Sequence, residues 1–183
     1  MKKLFKILLI CFVFLLIPNL IEAHSNRVIE ENSTTPRIIE PQEIRVEMGL
    51  PKDADGSFKT YMSYKAITNK NSKQYEMQQE AYTDENGFRI YDGCYMVALG
   101  SYYAKECGVK FAVTLEDGTE FRVITGDLKQ DKHTNSTNQY MPSNGNIVEF
   151  IVDTKEISDL CRKMGDMSYA GLKGAITKIE RVE

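Results

Sequence analysis

The stretch from Gly126 to Gly145 crowds Asp127, Lys129, Asp131, His133, Thr134, Ser136 and Asn138 into one place, a density of polar groups no other segment matches. Asp127 follows directly on a β-rich run ending near Ile124, where a chain leaving a sheet can hold a carboxylate at the rim. Glu149 stands in Val148-Glu149-Phe150, and a charge among apolar neighbours must face either water or a polar site. If both carboxyls point into one cleft they form a carboxylate pair. Asp131 and His133 offer two metal ligands in a flexible loop, too few to specify an ion, so no metal is expected there. His133 is expected to hydrogen-bond within its loop. Ser136, His133 and Asp131 have the residue types of an acyl-transfer triad, but three members crowded into one loop rarely meet its geometry.

The elements that must position these groups read mainly as β-strands. Tyr95 to Tyr103 is β-rich, and Val109 to Leu115 alternates, with Phe111, Val113 and Leu115 on one face. Phe121 and Val123 repeat that alternation after Asp117-Gly118, a pair that signals a hairpin because glycine tolerates the positive φ of a tight turn. Ile147 to Val152 and Ala175 to Val182 are two further strands. Asp153, followed three residues later by Glu156, has the form of a helix cap, and Ile157, Leu160, Cys161 and Met164 repeat at helical spacing up to Gly165. Upstream, Phe58, Tyr61, Met62, Tyr64, Ile67, Tyr75, Met77 and Tyr82 are interleaved with Lys, Asn and Gln, which predicts short helices or turns packed on the sheet. Tyrosines so placed are expected to be core and lid packing, with a sugar groove as the alternative. Short strands, one helix and a long loop suggest a small closed barrel more than a layered sheet.

The ends carry an address. Lys2, Lys3 and Lys6 precede an apolar run from Ile7 to Ile17 that stops at Pro18, about half of the roughly 20 residues a spanning helix needs. That is the form of a secretory signal peptide, 1–23, cut after Ala23. Residues 24–51, polar and punctuated by Pro36, Pro41 and Pro51, read as a flexible tether, leaving 52–183 as one domain with a helical or turn segment at 57–83. The cut would remove three lysines and one glutamate, so the exported chain would be more negative than the −3 of the whole sequence by two charges. An acidic chain with no Lys/Arg cluster has no footprint for a phosphate backbone, so nucleic acid is an unsuitable partner, and anionic membrane after signal cleavage likewise. Cys94, Cys107 and Cys161 remain, with no pair at zinc-knuckle or redox spacing. Cys94 and Cys107 flank a predicted strand; a disulfide between them and buried free thiols are both open readings.

Several of these stretches resemble a known family. The run Tyr95-Met96-Val97-Ala98-Leu99-Gly100-Ser101-Tyr102-Tyr103, the Asp117-Gly118 hairpin, the Gly126-Asp127 corner and Gly145-Asn146-Ile147-Val148-Glu149-Phe150 look like a double-psi β-barrel. The barrel is similar to those of three-aspartate domains, rare lipoprotein A and membrane-bound lytic transglycosylases. Asp127-Leu128-Lys129-Gln130-Asp131-Lys132-His133-Thr134 and Tyr82-Thr83-Asp84-Glu85-Asn86-Gly87 also resemble segments of exported proteins of Gram-positive bacteria. The barrel resemblance spans about Asp92 to Asp153. It departs from the family in that Leu128 and Lys129 follow Asp127 where a glycine-rich turn is usual, and Glu149 replaces a second aspartate.

The resemblance implies a mainly β, six-stranded double-psi-like barrel with one or two short helices, secreted or wall-associated. It implies cleavage of peptidoglycan glycan strands in the manner of a lytic transglycosylase, with Asp127 as acid and base and Glu149 as its neighbour. Tyr102, Tyr103, Asp131 and His133 are then the expected substrate contacts, peptidoglycan or another wall glycan the partner, and no cofactor is called for. The alternatives are a non-catalytic glycan-binding module of expansin type and a structural surface protein.

Overall fold

The computed structural model describes residues 43–183. The expected signal peptide and most of the tether lie outside them. The described chain is mainly β, with two short helices: β1 Arg45–Met48, β2 Tyr61–Ser63, α1 Lys73–Glu80, β3 Tyr82–Thr83, β4 Arg89–Tyr91, β5 Cys94–Leu99, β6 Lys110–Leu115, β7 Glu120–Leu128, β8 Glu149–Val152, α2 Asp159–Met164 and β9 Ile176–Val182. β1 corrects the tether's end at Pro51. Arg45–Met48 pair antiparallel with β9, and Arg45 sits between Glu43 and Glu120 at 2.9 and 2.8 Å, so this stretch is an edge strand.

The strands run β1-β9-β6-β7-β5-β4-β3, with β8 joined to β5 and to β2. β5 lies parallel to β7 and β2 parallel to β8; the remaining pairs are antiparallel. The β6–β7 hairpin forms where Asp117-Gly118 predicts it. Gly118 adopts a φ of 85° and its N donates to Leu115 O at 3.0 Å, while Asp117 Oδ1 accepts from Thr119 N at 2.9 Å. β5 ends at Leu99, short of the expected Tyr103, because the chain turns at Gly100, Tyr103 N donating to Gly100 O at 3.0 Å.

The helix near 160 starts later than its pattern suggests. Ser158 caps it, its side chain accepting from Cys161 N, and Gly165 ends it at a φ of 68°. Asp153 instead closes a turn of its own, Oδ1 accepting from Lys155 N at 3.0 Å while its N donates to Gly87 O at 2.9 Å. Leu160 and Met164 are consequently exposed, and Ile157 and Cys161 carry the packing.

The two sheet faces bury different groups. One packs Val97, Leu99, Phe111, Val113, Val123, Phe150 and Ile179 with Ile157 and Met167. The other gathers Cys94, Met96, Cys107, Ile124 and Ile151 under Met77 of α1, with Met62, Tyr64 and Ile67 against them. All three described cysteines are buried free thiols. The segment 56–60 stitches distant strands together. Gly56 O accepts from Ile176 N at 3.0 Å, Thr60 O accepts from Phe150 N at 2.8 Å, and the buried Lys59 ammonium donates to Gly174 O at 2.7 Å.

Candidate functional site

One residue in β5 organises the candidate site. Ala98 is opposite Asp127 of β7 on one side and opposite Glu149 of β8 on the other. Directly paired residues present their side chains to the same face, so the two carboxyls rise from one surface on either side of a methyl group. With strands about 4.8 Å apart, their backbones stand about 10 Å from each other. The row has a fourth member. β2 and β8 pair in parallel from Tyr61↔Phe150 onward, which sets Thr60 beside Glu149. Asp127, Ala98, Glu149 and Thr60 thus form one cross-strand row on the face that α1 covers.

The register of this row depends on Gly126. Val97 pairs with Thr125 but Ala98 pairs with Asp127, so Gly126 is an extra residue in β7 that swings Asp127 onto the Ala98 face. A Cβ at Gly126 would lie 2.7 Å from Met96 Cε and 2.8 Å from Ile151 Cδ1, so a larger residue there must displace the ends of two wholly buried side chains.

The two carboxyls have unlike surroundings. Asp127 borders a hollow of about 240 Å³ walled by Ala66, Ile67, Thr68, Asn69, Ser72 and Gln74, from the segment leading into α1. Its Oδ1 accepts from Leu128 N at 2.8 Å. Glu149 is more enclosed: burial pushes its carboxyl above the usual 4.5, the Lys129 ammonium opposes the rise, the neighbouring Asp127 adds to it and the Thr60 side chain opposes it. Lys129 is itself buried, and desolvation lowers its ammonium to about 8 with Glu149 pulling the other way. Its Nζ donates to the Asn146 backbone O at 3.0 Å. The wholly buried Asn146 side chain lies between these groups. Its amide is assigned with the oxygen towards Lys129 Nζ and Thr60 Oγ1, both at 2.7 Å, because an ammonium has only hydrogens to offer, and the nitrogen then donates to Val148 O at 2.5 Å.

A second hollow, of about 340 Å³, shares Ile67 and Thr68 with the first and is lined by Tyr64, Tyr75, Lys65 and Lys70. The Tyr64 ring rests on the Arg89 guanidinium at 4.7 Å, and Arg89 is held in turn by Gln78, Thr83 and Ala81. This gives Tyr64 a fixed back.

The structure disperses the other expected contacts. Tyr103 is only 2 % exposed and packs in the core, its hydroxyl donating to Gly49 O at 3.4 Å, with burial raising the phenol far above its normal value. A ring so enclosed cannot stack on a sugar, which corrects its assignment as a substrate contact. Tyr102 is exposed, packs edge to face on Tyr103 at 5.1 Å between ring centroids, and borders with it a different hollow that includes Met48 and Arg181. Asp131 and His133 share a short turn on the surface, Asp131 Oδ1 accepting from Ser101 Oγ at 2.7 Å and His133 held through its backbone N to Gln130 O. None of these four lines the hollow beside Asp127.

Thr60 and Asn146 escaped the sequence reading as site residues, while Tyr64 stood in it only under the alternative of a tyrosine-lined sugar groove. Gly126 inside an alternating run was the available signal, since a strand glycine marks a bulge and hence a change of facing. Among the described residues no cluster of three or more His, Cys, Asp or Glu could hold a metal ion, and no helix is long and apolar enough to cross a membrane. Comparison with family models, with curated proteins and with solved structures finds no match for this chain.

Proposed function

We propose that this is an exported, wall-associated barrel protein that cleaves the glycan strands of peptidoglycan, with Glu149 as the acid and Asp127 as the base. The observation that carries the reading is the row itself: two carboxyls on one face, flanking Ala98, one enclosed and the other at an open hollow. Pairs whose environments push them apart divide acid from base roles. The sequence alone favoured Asp127 as the first proton donor; the greater burial of Glu149 reverses that order.

In this reaction Glu149 gives its proton to the glycosidic oxygen as the bond from that oxygen to C1 breaks, the electron pair leaving with the oxygen. Asp127 takes the proton of the muramic acid C6 hydroxyl, whose oxygen bonds to C1 and closes the anhydro ring. Exchange with solvent then restores the resting protonation of both groups. Tyr64 and Tyr75 replace Tyr102 and Tyr103 as the sugar platform, and Lys65 and Lys70 suit the carboxylate of a muramoyl unit. The double-psi barrel is supported by two places where a later strand lies between two earlier ones, β7 between β5 and β6, and β8 between β2 and β5. The stitch at 56–60 supports closure.

One observation favours a second reading, a glycan-binding module without catalysis: the larger hollow, about 340 Å³ with Tyr64 and Tyr75 in its wall, is lined by neither carboxyl. Incubation with purified peptidoglycan and mass spectrometry of the products separates the two. Anhydro-muropeptides lost on Asp127→Asn and on Glu149→Gln support cleavage. Co-sedimentation without products supports binding, and a protein that neither cuts nor sediments with the wall sinks both readings.

A further inference from the structure

We propose that β1 is the surface through which two copies of this chain pair edge to edge, antiparallel, in the register that sets Val46 of one copy opposite Val46 of the other. The contact is independent of the glycan reading: β9 and β6 separate β1 from β7 in the strand order, so the row of Asp127, Ala98 and Glu149 takes no part in it.

Among the described residues β1 is the last strand on its side of the sheet, paired with β9 alone. One bond fixes the direction of its backbone groups. Ile44 O accepts from Glu183 N at 3.0 Å, and these two residues continue the β1–β9 register, so Ile44, Val46 and Met48 turn their N–H and C=O towards β9. In an antiparallel ladder the residues between them turn theirs the other way. The N–H and C=O groups of Arg45 and Glu47 therefore face outward, a template for one more strand.

The side chains choose the occupant. Arg45 and Glu47 lie on one face of the strand; Ile44, Val46 and Met48 lie on the other, with Ile44 61 % and Val46 44 % exposed. Within the chain Glu47 stands opposite Glu180, whose own cations are Arg45 and Lys178 at 3.4 and 3.1 Å. Like charges directly opposite repel, and Glu47 has no cation of its own among the described residues. A twofold axis at Val46 relieves this, since it sets Arg45 of each copy opposite Glu47 of the other and Ile44 opposite Met48. The same register makes Arg45 and Glu47 hydrogen-bonded pairs through their outward groups, and it holds the apolar pairs at the closer spacing of about 4.5 Å between Cα atoms. Moving the axis to Arg45 would oppose arginine to arginine and Glu43 to Glu47; moving it to Glu47 would oppose glutamate to glutamate. A strand whose charges guarded it against pairing would repel in every register, and this one attracts where Val46 is the centre. So short a strand gives a contact below the roughly 1,200 Å² of a standard interface, with a dissociation constant of about 100 µM.

Sedimentation equilibrium of the full chain tests the pairing, and amide hydrogen exchange tests its register. The wild type is expected to pass from monomer to dimer around 100 µM, and the Arg45 and Glu47 amides to exchange about fivefold more slowly at about 2 mM than at about 20 µM. Glu47→Arg and Arg45→Glu should each weaken self-association at least about tenfold, because each sets like charges opposite one another on both sides of the axis. Mixed in equal amounts, the two variants should associate to within about threefold of the wild type, since every reversed charge then meets its opposite. Arg45 also holds Glu43 and Glu120, so should Arg45→Glu loosen β1, Glu47→Pro takes its place. Proline there removes an outward N–H, leaves the bonds of Val46 and Met48 to β9, and should weaken association as much. A chain that stays monomeric at about 2 mM overturns the proposal, as does a dimer indifferent to Glu47→Arg. Arg45 and Glu47 amides equally protected at both concentrations would mean that another part of the same chain covers the edge, which also overturns it.

Discussion

Under α1, a site is assembled from groups that are far apart in the chain: Thr60, Ala98, Asp127 and Glu149 meet because three strand pairings bring them into one row. The loop beyond Lys129 has many more polar groups within a few residues, and it turns them on each other. Asp131 takes the Ser101 hydroxyl, Thr134 Oγ1 donates to Asp131 O at 2.9 Å and Asn135 Oδ1 accepts from Gln139 N at 2.8 Å. Thr137 Oγ1 donates to Gln139 Oε1 at 2.7 Å, and Gln139 Nε2 to Gly49 O at 2.9 Å. The loop's polarity is the chemistry of a loop satisfying its own backbone and side chains, as a segment without ladder partners must. A high density of reactive residue types in sequence therefore says less about a site than strand register does.

The contrast is broken most forcefully in the cleavage assay. Asp127→Asn and Glu149→Gln should each lower the rate by about a hundredfold or more, the span of general acid and base catalysis, while Asp131→Asn and His133→Ala should change it less than about twofold. Equal losses from both sets would put the site in the loop and sink the row. Product release measured by mass spectrometry decides between them.

How much of this was legible follows from the same distinction. The hairpin at Asp117-Gly118, the alternation of β6 and the final strand are local patterns, and local patterns survive into the structure. The pairing of Asp127 with Glu149 was readable as a possibility, because both sit where strands begin or end. The sharing of Ala98 was not, since it needs the two long-range pairings of β5 and the residue skipped at Gly126. Tyr102 and Tyr103 lie away from the row because the chain turns at Gly100, which carries both rings, packed edge to face at 5.1 Å between centroids, to another hollow. The start of α2 was misplaced because Asp153 caps a separate turn, a competition that capping residues permit in any sequence.

A stability measurement sharpens the role of register. Gly126→Val should cost about 3 kcal/mol in denaturant unfolding, since its Cβ meets Met96 and Ile151 on the packed face. Gly118→Ala, in the hairpin turn with nothing within 4 Å of its Cβ, should cost nearer to about 1 kcal/mol, from its positive φ alone. Equal costs would mean that the bulge is soft and does not fix Asp127. A smaller effect is expected for ligand binding: Tyr64→Ala should weaken binding of muramoyl oligosaccharides by about tenfold and Tyr102→Ala by less than about twofold, read by calorimetry on the Asp127→Asn background.

The smallest effect is a slope. The Lys129 ammonium titrates at about 8 in the folded chain, against 10.5 for an unhindered lysine. Between these values the unfolded chain binds the proton that the folded one has released, so stability rises with pH across that window as far as this residue is concerned. Buried Lys59, lowered by the same cause, adds to the rise, and the Cys107 thiol, pushed up to about 11 by burial, works against it. The contribution of Lys129 is therefore read as a difference. Lys129→Met should show a flatter dependence of unfolding free energy on pH between about 8 and 10 than the wild type. Glu149→Gln should act lower down, and because the Glu149 carboxylate holds the Lys129 ammonium up, it should also extend the lysine's window to lower pH. A raised folded carboxyl holds its proton longer than the unfolded one, so Glu149 draws stability down as pH rises above 4.5, and the glutamine variant should lack that decline. Parallel curves for wild type and Lys129→Met would mean that the ammonium is solvated in the folded chain, and the orientation of Asn146 would then have no buried charge to set it.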